Sequence, residues 1–163
     1  MTEAALGREF LTWLWFRCEV DGGTFPLEQG GELGVVFGEY VRLLAPGERA
    51  EEHTVRRASP HRASEARQAL RAGKLVAAAR LELGTAEGSY AVTLDADTFG
   101  LRAARYPGVE GADETERSEE RLARTEELLA LLDELFARFL AVRLTPAWEQ
   151  SELPAMRAWV ASS

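Results

Sequence analysis

Apolar side chains surround the first predicted helix instead of forming a single stripe. Residues 4–19 have a helical spacing that places Phe10 and Trp13 on one face and Leu11 and Trp15 on another. A helix with apolar residues on two sides needs cover on both of them. We therefore predict that the aromatic residues of this helix are buried in a core, with one side able to meet a second subunit.

The following part of the chain alternates between apolar and polar residues, which is typical of half-buried strands. Seven segments fit this pattern: 24–27, 32–37, 40–44, 52–57, 75–83, 89–94 and 101–106. Gly38-Glu39 is predicted to turn or bulge between the second and third of them. The last three are joined by "GTAEG" and "DADTFG", so they are predicted to form an antiparallel meander.

Two further helices are indicated by their spacing and their end signals. Residues 64–72 form a short predicted helix followed by Gly73, a residue suited to the left-handed position after a helix. A long helix is predicted from about residue 115 to 144, because the apolar residues of 128–142 recur at helical spacing.

The end of the chain completes the predicted fold. Thr145-Pro146 fits an N-cap with proline at the first helical position, and Pro154 is expected to kink or split the terminal segment. The fold class is therefore α+β: an antiparallel sheet or meander with an N-terminal aromatic helix and a long C-terminal helix followed by a short terminal helix. We expect one domain over 1–163, with an acidic connector at about 108–116.

The composition is that of a globular protein, with 46% apolar and 28% charged residues in a chain of 163. No apolar run approaches the roughly 18–20 residues that cross a bilayer. The N-terminus lacks the basic and apolar regions of a signal peptide. The single cysteine, Cys18, excludes an internal disulfide. Together these features predict a soluble cytoplasmic protein with no membrane partner.

Charge is distributed unevenly along the chain. The net charge is −8, which should repel polyanions at long range. Between residues 53 and 80, however, there are seven Lys and Arg residues and one acid. Between residues 108 and 134 there are ten acids and three Arg residues. The chain therefore has a basic middle and an acidic later segment.

Motifs for metal and nucleotide binding are missing from the sequence. His53, His61 and the distant Cys18 do not form an HExxH or paired CxxC pattern, so zinc binding is disfavoured. No GxxxxGK[ST] or GxGxxG precedes a helix. "RAGKL" resembles a phosphate loop, but its glycine ends a helix instead of starting one. No cofactor is predicted.

Asp95 and Asp97 are the candidates for a metal-dependent nuclease, because such enzymes hold their ions with carboxylates. The two residues lie at a predicted hairpin end, where aspartate is favoured by turn geometry. A nucleophilic Cys18 would need a histidine beside it. We favour turn chemistry for the aspartates, a buried structural thiol for Cys18 and no enzymatic activity.

The basic middle contains the candidate binding residues. Arg67 and Arg71 are four residues apart and share a helix face, and Lys74 and Arg80 follow on the adjoining turn and strand. Such clusters bind backbone phosphates without reading sequence. These four residues are the predicted DNA phosphate site. The alternative is a solvated face that pairs with the acidic segment 110–127.

The order of these pieces resembles the C-terminal half of the RdgC family of recombination-associated proteins. The similarity covers most of the chain. It is carried by "LGREFLTWLWFR" at 6–17, "SEARQALRAGKLVAAARLEL" at 64–83 and "GSYAVTLDADTFGLRAARYP" at 88–107, with support from the helix at 122–140. Members of this family are α+β proteins about twice as long that dimerise into a ring. They bind double-stranded DNA with little sequence preference and limit access of the recombinase RecA.

The resemblance implies a non-catalytic, nucleoid-associated protein that binds double-stranded DNA and controls recombination, with Arg67, Arg71, Lys74 and Arg80 as phosphate contacts. It also implies a homodimer or a larger protein partner. The alternative is a protein-interaction or dimerisation module that does not bind DNA. Such a module would use the 128–142 stripe or the aromatic helix.

Overall fold

The computed structural model describes residues 3–45, 53–56 and 64–162. Its helices are α1 (Glu3–Asp21), α2 (Ser64–Arg71), α3 (Glu114–Arg143), a short π-helix (Trp148–Glu152) and α4 (Leu153–Ala161). Its strands are β1 (Thr24–Pro26), β2 (Glu32–Leu44), β3 (His53–Arg56), β4 (Leu75–Thr85), β5 (Gly88–Asp95) and β6 (Leu101–Arg105). The predicted α+β class is confirmed, including the long helix and the short terminal helix.

The strands form one antiparallel sheet in the order β1-β2-β4-β5-β6. β3 pairs with the far half of β2, beside residues 40–43. The two segments predicted at 32–37 and 40–44 are a single strand, whose pairing with β4 shifts between Phe37 and Val41. Gly38-Glu39 is therefore a bulge, which keeps one strand continuous while it bends.

The helices lie on one face of the sheet. Leu81 of β4 and Val92 of β5 are fully buried in the core on this helical side. Because strand side chains alternate, Arg80 and Thr93 point to the other face. That second face is called the open face below. Its side chains include Val36 and Arg42 of β2, Arg80 and Glu82 of β4, Thr93 and Asp95 of β5, and Arg102 and Arg105 of β6.

Helix α1 is the centre of the core, between the sheet and the C-terminal helices. The Trp15 ring stacks on Phe37 of β2 at 5.8 Å and meets Trp159 of α4 at 6.1 Å. On another side, Phe10 contacts Phe136 of α3 at 5.2 Å. Both apolar sides are covered within one chain, so the predicted burial of the aromatic residues is confirmed without a second subunit.

The long helix α3 starts at Glu114, one residue earlier than predicted, because the Asp113 carboxylate caps it by accepting the Glu116 N–H at 2.8 Å. The predicted connector at 108–116 thus ends inside the helix. The segment 114–127 of α3 has no buried residue, and the buried residues that follow it are Leu128, Leu132, Leu135 and Phe139. Most of the 128–142 stripe therefore packs inside this chain, which corrects its assignment as a docking surface.

The C-terminal segment differs from the expected cap. The Thr145 hydroxyl donates to the Val142 carbonyl at 2.8 Å, so it closes the end of α3 and does not cap a new helix. A π-helix follows, and its Glu152 is buried against α1. The Glu152 carboxylate accepts the indole N–H of Trp13 at 2.8 Å and pairs with Arg17 at 2.6 Å. A polar contact inside the core thus holds this segment on α1.

Among the described residues, no helix combines the length and the apolar character that crossing a membrane requires.

Candidate nucleic-acid interface

Arg67 and Arg71 lie on α2, which packs against α4. The Arg67 guanidinium lies 5.6 Å from the centre of the Trp159 ring and 3.6 Å from the Glu19 carboxylate. The Arg71 Nε donates to the Val160 carbonyl at 3.3 Å. Both arginines therefore rest on the C-terminal helix, on the helical side of the sheet. Arg67 pairs with an acid of α1 and not with the acidic segment 110–127.

Lys74 follows the turn that ends α2. Gly73 has a φ of +87°, and its N–H donates to the Leu70 carbonyl at 3.0 Å. The Lys74 N–H donates to the Ala69 carbonyl at 3.0 Å. This is the left-handed helix end predicted for Gly73. It places Lys74 at the start of β4. Of the other cations of the basic middle, Arg56 ends β3, and Arg57 and Arg62 lie outside the described residues.

Arg80 lies on the open face, on the other side of the sheet from α2. Its guanidinium donates to the Ala103 carbonyl at 2.5 Å and to the Thr93 hydroxyl at 3.4 Å. Its stem crosses Gly38, where an added Cβ would lie 2.9 Å from the Arg80 Cγ, so glycine makes room for it. The four predicted residues therefore do not gather on one surface. Arg67 and Arg71 lie on the helical side and Arg80 on the open face.

Two arginines that the sequence prediction did not select lie beside Arg80. Arg102 is in register with Thr93, which is in register with Arg80. Since neighbouring strands are about 4.8 Å apart, the Cα atoms of Arg80 and Arg102 are separated by about 10 Å. Arg105 is in the next row, where it aligns with Ala91 and Glu82. Arg80, Arg102 and Arg105 are called the arginine patch below.

A bulge in β6 places Arg102 and Arg105 on the same face. Residues three apart on a regular strand point to opposite faces. Ala103 has a φ of +51°, and the pairing with β5 shifts between Ala91 and Thr93. The extra residue restores Arg105 to the face of Arg102. The two arginines of "LRAARY" could have been noticed in the sequence. The bulge that brings them to one face could not, because the apolar and polar residues of this segment do not indicate it.

Two of the three cations of the arginine patch are accessible. Arg102 and Arg105 are exposed, and neither side chain forms a hydrogen bond or an ion pair with any residue that the structure describes. Arg42 also lies on the open face, but it pairs with Asp95 at 3.2 Å. The exposed Glu82 lies beside Arg80 on β4. On the described parts of β4, β5 and β6 the open face therefore has three arginines, Arg80, Arg102 and Arg105, and two acids, Glu82 and the Arg42-paired Asp95.

Asp95 and Asp97 form a turn, as predicted from the sequence. One Asp95 oxygen accepts the N–H groups of Asp97 at 2.9 Å and Thr98 at 3.2 Å. Arg8 of α1 binds both oxygens of Asp97, at 2.6 and 2.8 Å. The hydrogen bond from Arg8 lowers the pKa of Asp97. Among the described residues no group of three or more His, Cys, Asp or Glu side chains is arranged to hold a metal ion.

Cys18 has the environment of a structural thiol. It is half-buried, and its Sγ donates to the Val35 carbonyl at 3.5 Å. Burial, with a contribution from the neighbouring Glu19, raises the pKa of the thiol to about 12. At neutral pH it is therefore protonated and a poor nucleophile, in agreement with the prediction.

Comparison of the chain with protein-family models, with curated proteins and with solved structures finds no match.

Proposed function

We propose that this protein binds double-stranded DNA without sequence preference and without catalysis, through contacts from the arginine patch to backbone phosphates. The observation that carries the proposal is the pair Arg102 and Arg105, exposed and without an ion-pair partner in the described chain, beside the ordered Arg80. Guanidinium groups suit this role because their planar N–H groups bind phosphate oxygens in pairs.

The position of the aromatic rings favours duplex over single-stranded DNA. Proteins that bind single strands stack bases on exposed aromatic side chains. Here Phe10, Trp13, Trp15 and Phe16 are each at most 3% exposed. Phosphate contacts from a cationic sheet face recognise the backbone and carry no base specificity. The RdgC-like sequence features agree with this proposal, and they extend it to the control of recombination at the nucleoid.

The sequence-predicted residues on α2 define a competing location for the phosphates. Arg67 would have to leave Glu19 and Trp159 in order to bind a phosphate, whereas Arg102 has no such partner among the described residues. We therefore assign Arg67, Arg71 and Lys74 a secondary role and the arginine patch the primary one. DNA lying on one side of the sheet cannot contact both groups at once.

The test is a fluorescence anisotropy titration of a 30-base-pair duplex at salt concentrations from 50 to 200 mM. The variants are Arg102→Ala/Arg105→Ala, Arg67→Ala/Arg71→Ala and a control, Arg121→Ala/Arg157→Ala. All three remove two exposed or half-buried arginines and make the same change in net charge. Each lost phosphate contact should flatten the plot of log K against log salt by about 0.9 units, so two lost contacts flatten it by about 1.8.

This difference is large enough to measure. Over a fourfold change in salt, two phosphate contacts correspond to about a 12-fold change in affinity, which the Arg102→Ala/Arg105→Ala variant should lose. A flatter slope in the Arg67→Ala/Arg71→Ala variant alone would move the site to α2. Equal effects of all three variants would indicate only long-range charge. An unmodified protein that ignores the duplex at 50 mM salt would refute DNA binding itself.

A second candidate function, dimerisation without DNA binding, is favoured by one surface of α3. Leu122 and Leu129 are 61% and 45% exposed and are seven residues apart, Leu122 within and Leu129 just after the part of α3, 114–127, that has no buried residue. Seven-residue spacing is typical of a helix-to-helix seam between two copies of a chain. Light scattering of the unmodified protein and of Leu122→Glu/Leu129→Glu tests it. A monomer at high concentration would exclude this candidate.

A further inference from the structure

A groove lies on the helical side of the protein, at the ends of two hairpins. Its walls are the β1–β2 turn at 27–32, the β4–β5 turn at 85–87 and the 127–137 portion of α3. Its volume is about 610 Å³, within the range of about 300–1,000 Å³ that is usual for ligand sites. Thr85 is five residues along β4 from Arg80, so about 17 Å separate the Cα atoms of these two residues. Arg105 is nearer, because its partner Ala91 follows the groove residue Tyr90, but it lies on the opposite face of the sheet.

The rim of the groove is strongly anionic. Among the described residues that line it there is no Lys, Arg or His, and there are six carboxylates: Glu28, Glu32, Glu87, Glu127, Asp133 and Glu134. Glu127 accepts hydrogen bonds from Tyr90 and Arg124, and Glu134 accepts the Glu28 N–H at 2.7 Å. The other four carboxylates make no hydrogen bond or ion pair with the residues that the structure describes. Their charge is thus available to a ligand.

The floor of the groove is apolar. It is formed by Leu27 from the first turn and by Ala130, Leu131 and Ala137 from α3, and it is bordered by Tyr90, which is only 3% exposed. Lys and Arg side chains match such a surface, because their aliphatic stems pack on apolar atoms while their charged ends reach acids at the edge. An anionic rim over an apolar floor therefore complements long cationic side chains better than it complements a small ion.

The spacing of the acids also argues for an extended ligand. No three of the described carboxylates converge as metal ligands do. They are spread over three separate segments of chain, so a ligand that uses several of them must carry several cations at intervals. We propose that the groove binds an extended arginine- or lysine-rich segment of a partner protein. The groove is a different surface from the DNA site, so this proposal does not depend on DNA binding.

The experiment measures binding of a fluorescein-labelled nona-arginine peptide by anisotropy at 100 mM salt. The groove variant is Glu87→Gln/Asp133→Asn, and the control is Glu119→Gln/Glu149→Gln. All four residues are exposed and make no side-chain interaction with the described residues, so both variants keep the fold and raise the net charge equally. The groove variant should bind the peptide at least about fivefold more weakly, and the control should match the unmodified protein.

The outcomes separate the groove from general electrostatic attraction. Equal weakening in both variants, or no peptide binding by the unmodified protein, would overturn the proposal. Binding of spermine as tightly as the peptide would also overturn it, because spermine has the cations without the peptide length. Duplex binding measured in parallel should not weaken in the groove variant, so failure of one proposal is distinguishable from failure of the other.

Discussion

The close contact between α1 and the turn after β5 gives a sharp test of the structure. An ideal Cβ added to Gly7 would lie 1.9 Å from the Ala96 carbonyl oxygen and 2.9 Å from its carbonyl carbon. Both are backbone atoms, and Ala96 is itself fully buried. The turn cannot move easily, because the Ala96 N–H donates to the Ala77 carbonyl at 2.8 Å and Arg8 binds Asp97 through two hydrogen bonds.

The magnitude follows from two opposing effects in Gly7→Ala. Normal C···O contacts are about 3.3–3.6 Å, so helix and turn must separate by roughly 1.4 Å or more. Overpacking of this kind costs about 1–3 kcal/mol, and forced movement of backbone favours the upper end. Alanine offsets about 1 kcal/mol of this through its higher helix propensity. We expect a net loss of about 2 kcal/mol, or about 4–8 °C in Tm for a chain of this size.

Thermal and urea unfolding followed by circular dichroism measure this loss. Gly108→Ala is the matched control, because nothing lies within 4 Å of an added Cβ and its φ is not in the left-handed region. That variant should be unchanged or more stable by up to about 1 kcal/mol. If Gly7→Ala were as stable as the unmodified protein, the gain in helix propensity would have fully offset the cost of the clash. The described packing of α1 on the Asp95–Asp97 turn would then be wrong.

Two further predictions concern ion pairs. Asp97→Asn should destabilise the protein at pH 7. The difference in stability between variant and unmodified protein should shrink as the pH falls below about 4, since Asp97, with its lowered pKa, stabilises the fold only while its carboxylate is charged. Urea midpoints at pH 7 and pH 3 test this, and a pH-independent difference would contradict it. Glu152→Ala should cost about 2 kcal/mol, because it leaves the buried Trp13 indole without its acceptor while Arg17 keeps Asp21 as a partner. Glu152→Gln should cost less, because the amide oxygen still accepts from Trp13. Equal losses in the two Glu152 variants would exclude this explanation.

Local patterns were enough to predict most elements, because they depend on residues that are near each other in sequence. The two-sided apolar character of α1 predicted burial on both sides, and Gly73 marked the end of α2. The contacts of the C-terminal segment could not be predicted from such local patterns. Glu152 is held by Trp13, 139 residues away, and a contact at that distance leaves no periodic trace in the sequence.

The candidate site shows the same limit more clearly. Arg67, Arg71 and Arg80 are close in sequence, and proximity suggested one cluster. Between α2 and β4 the chain changes layer, and the alternation of β4 then directs Arg80 away from the helices. Conversely, the bulge at Ala103 unites Arg102 and Arg105, which regular alternation would separate. The face of a sheet on which a side chain lies depends on the pairing register of its strand, and the sequence of one strand alone does not specify that register.

The proposed DNA and cationic-peptide sites have opposite charges, and their separation on the surface allows both on a chain of net charge −8. Charges are screened over about 8–10 Å at physiological salt, and the acidic groove lies on the helical side of the sheet whereas the arginine patch lies on the open face. Each ligand therefore experiences mainly its own surface. At about 10 mM salt the screening length grows to about 30 Å, so the acids of α3 and the groove then repel DNA at the open face. Duplex affinity should accordingly rise as salt falls from 200 to 50 mM and level off near 10 mM, whereas a protein with cations throughout its surface would continue to gain affinity.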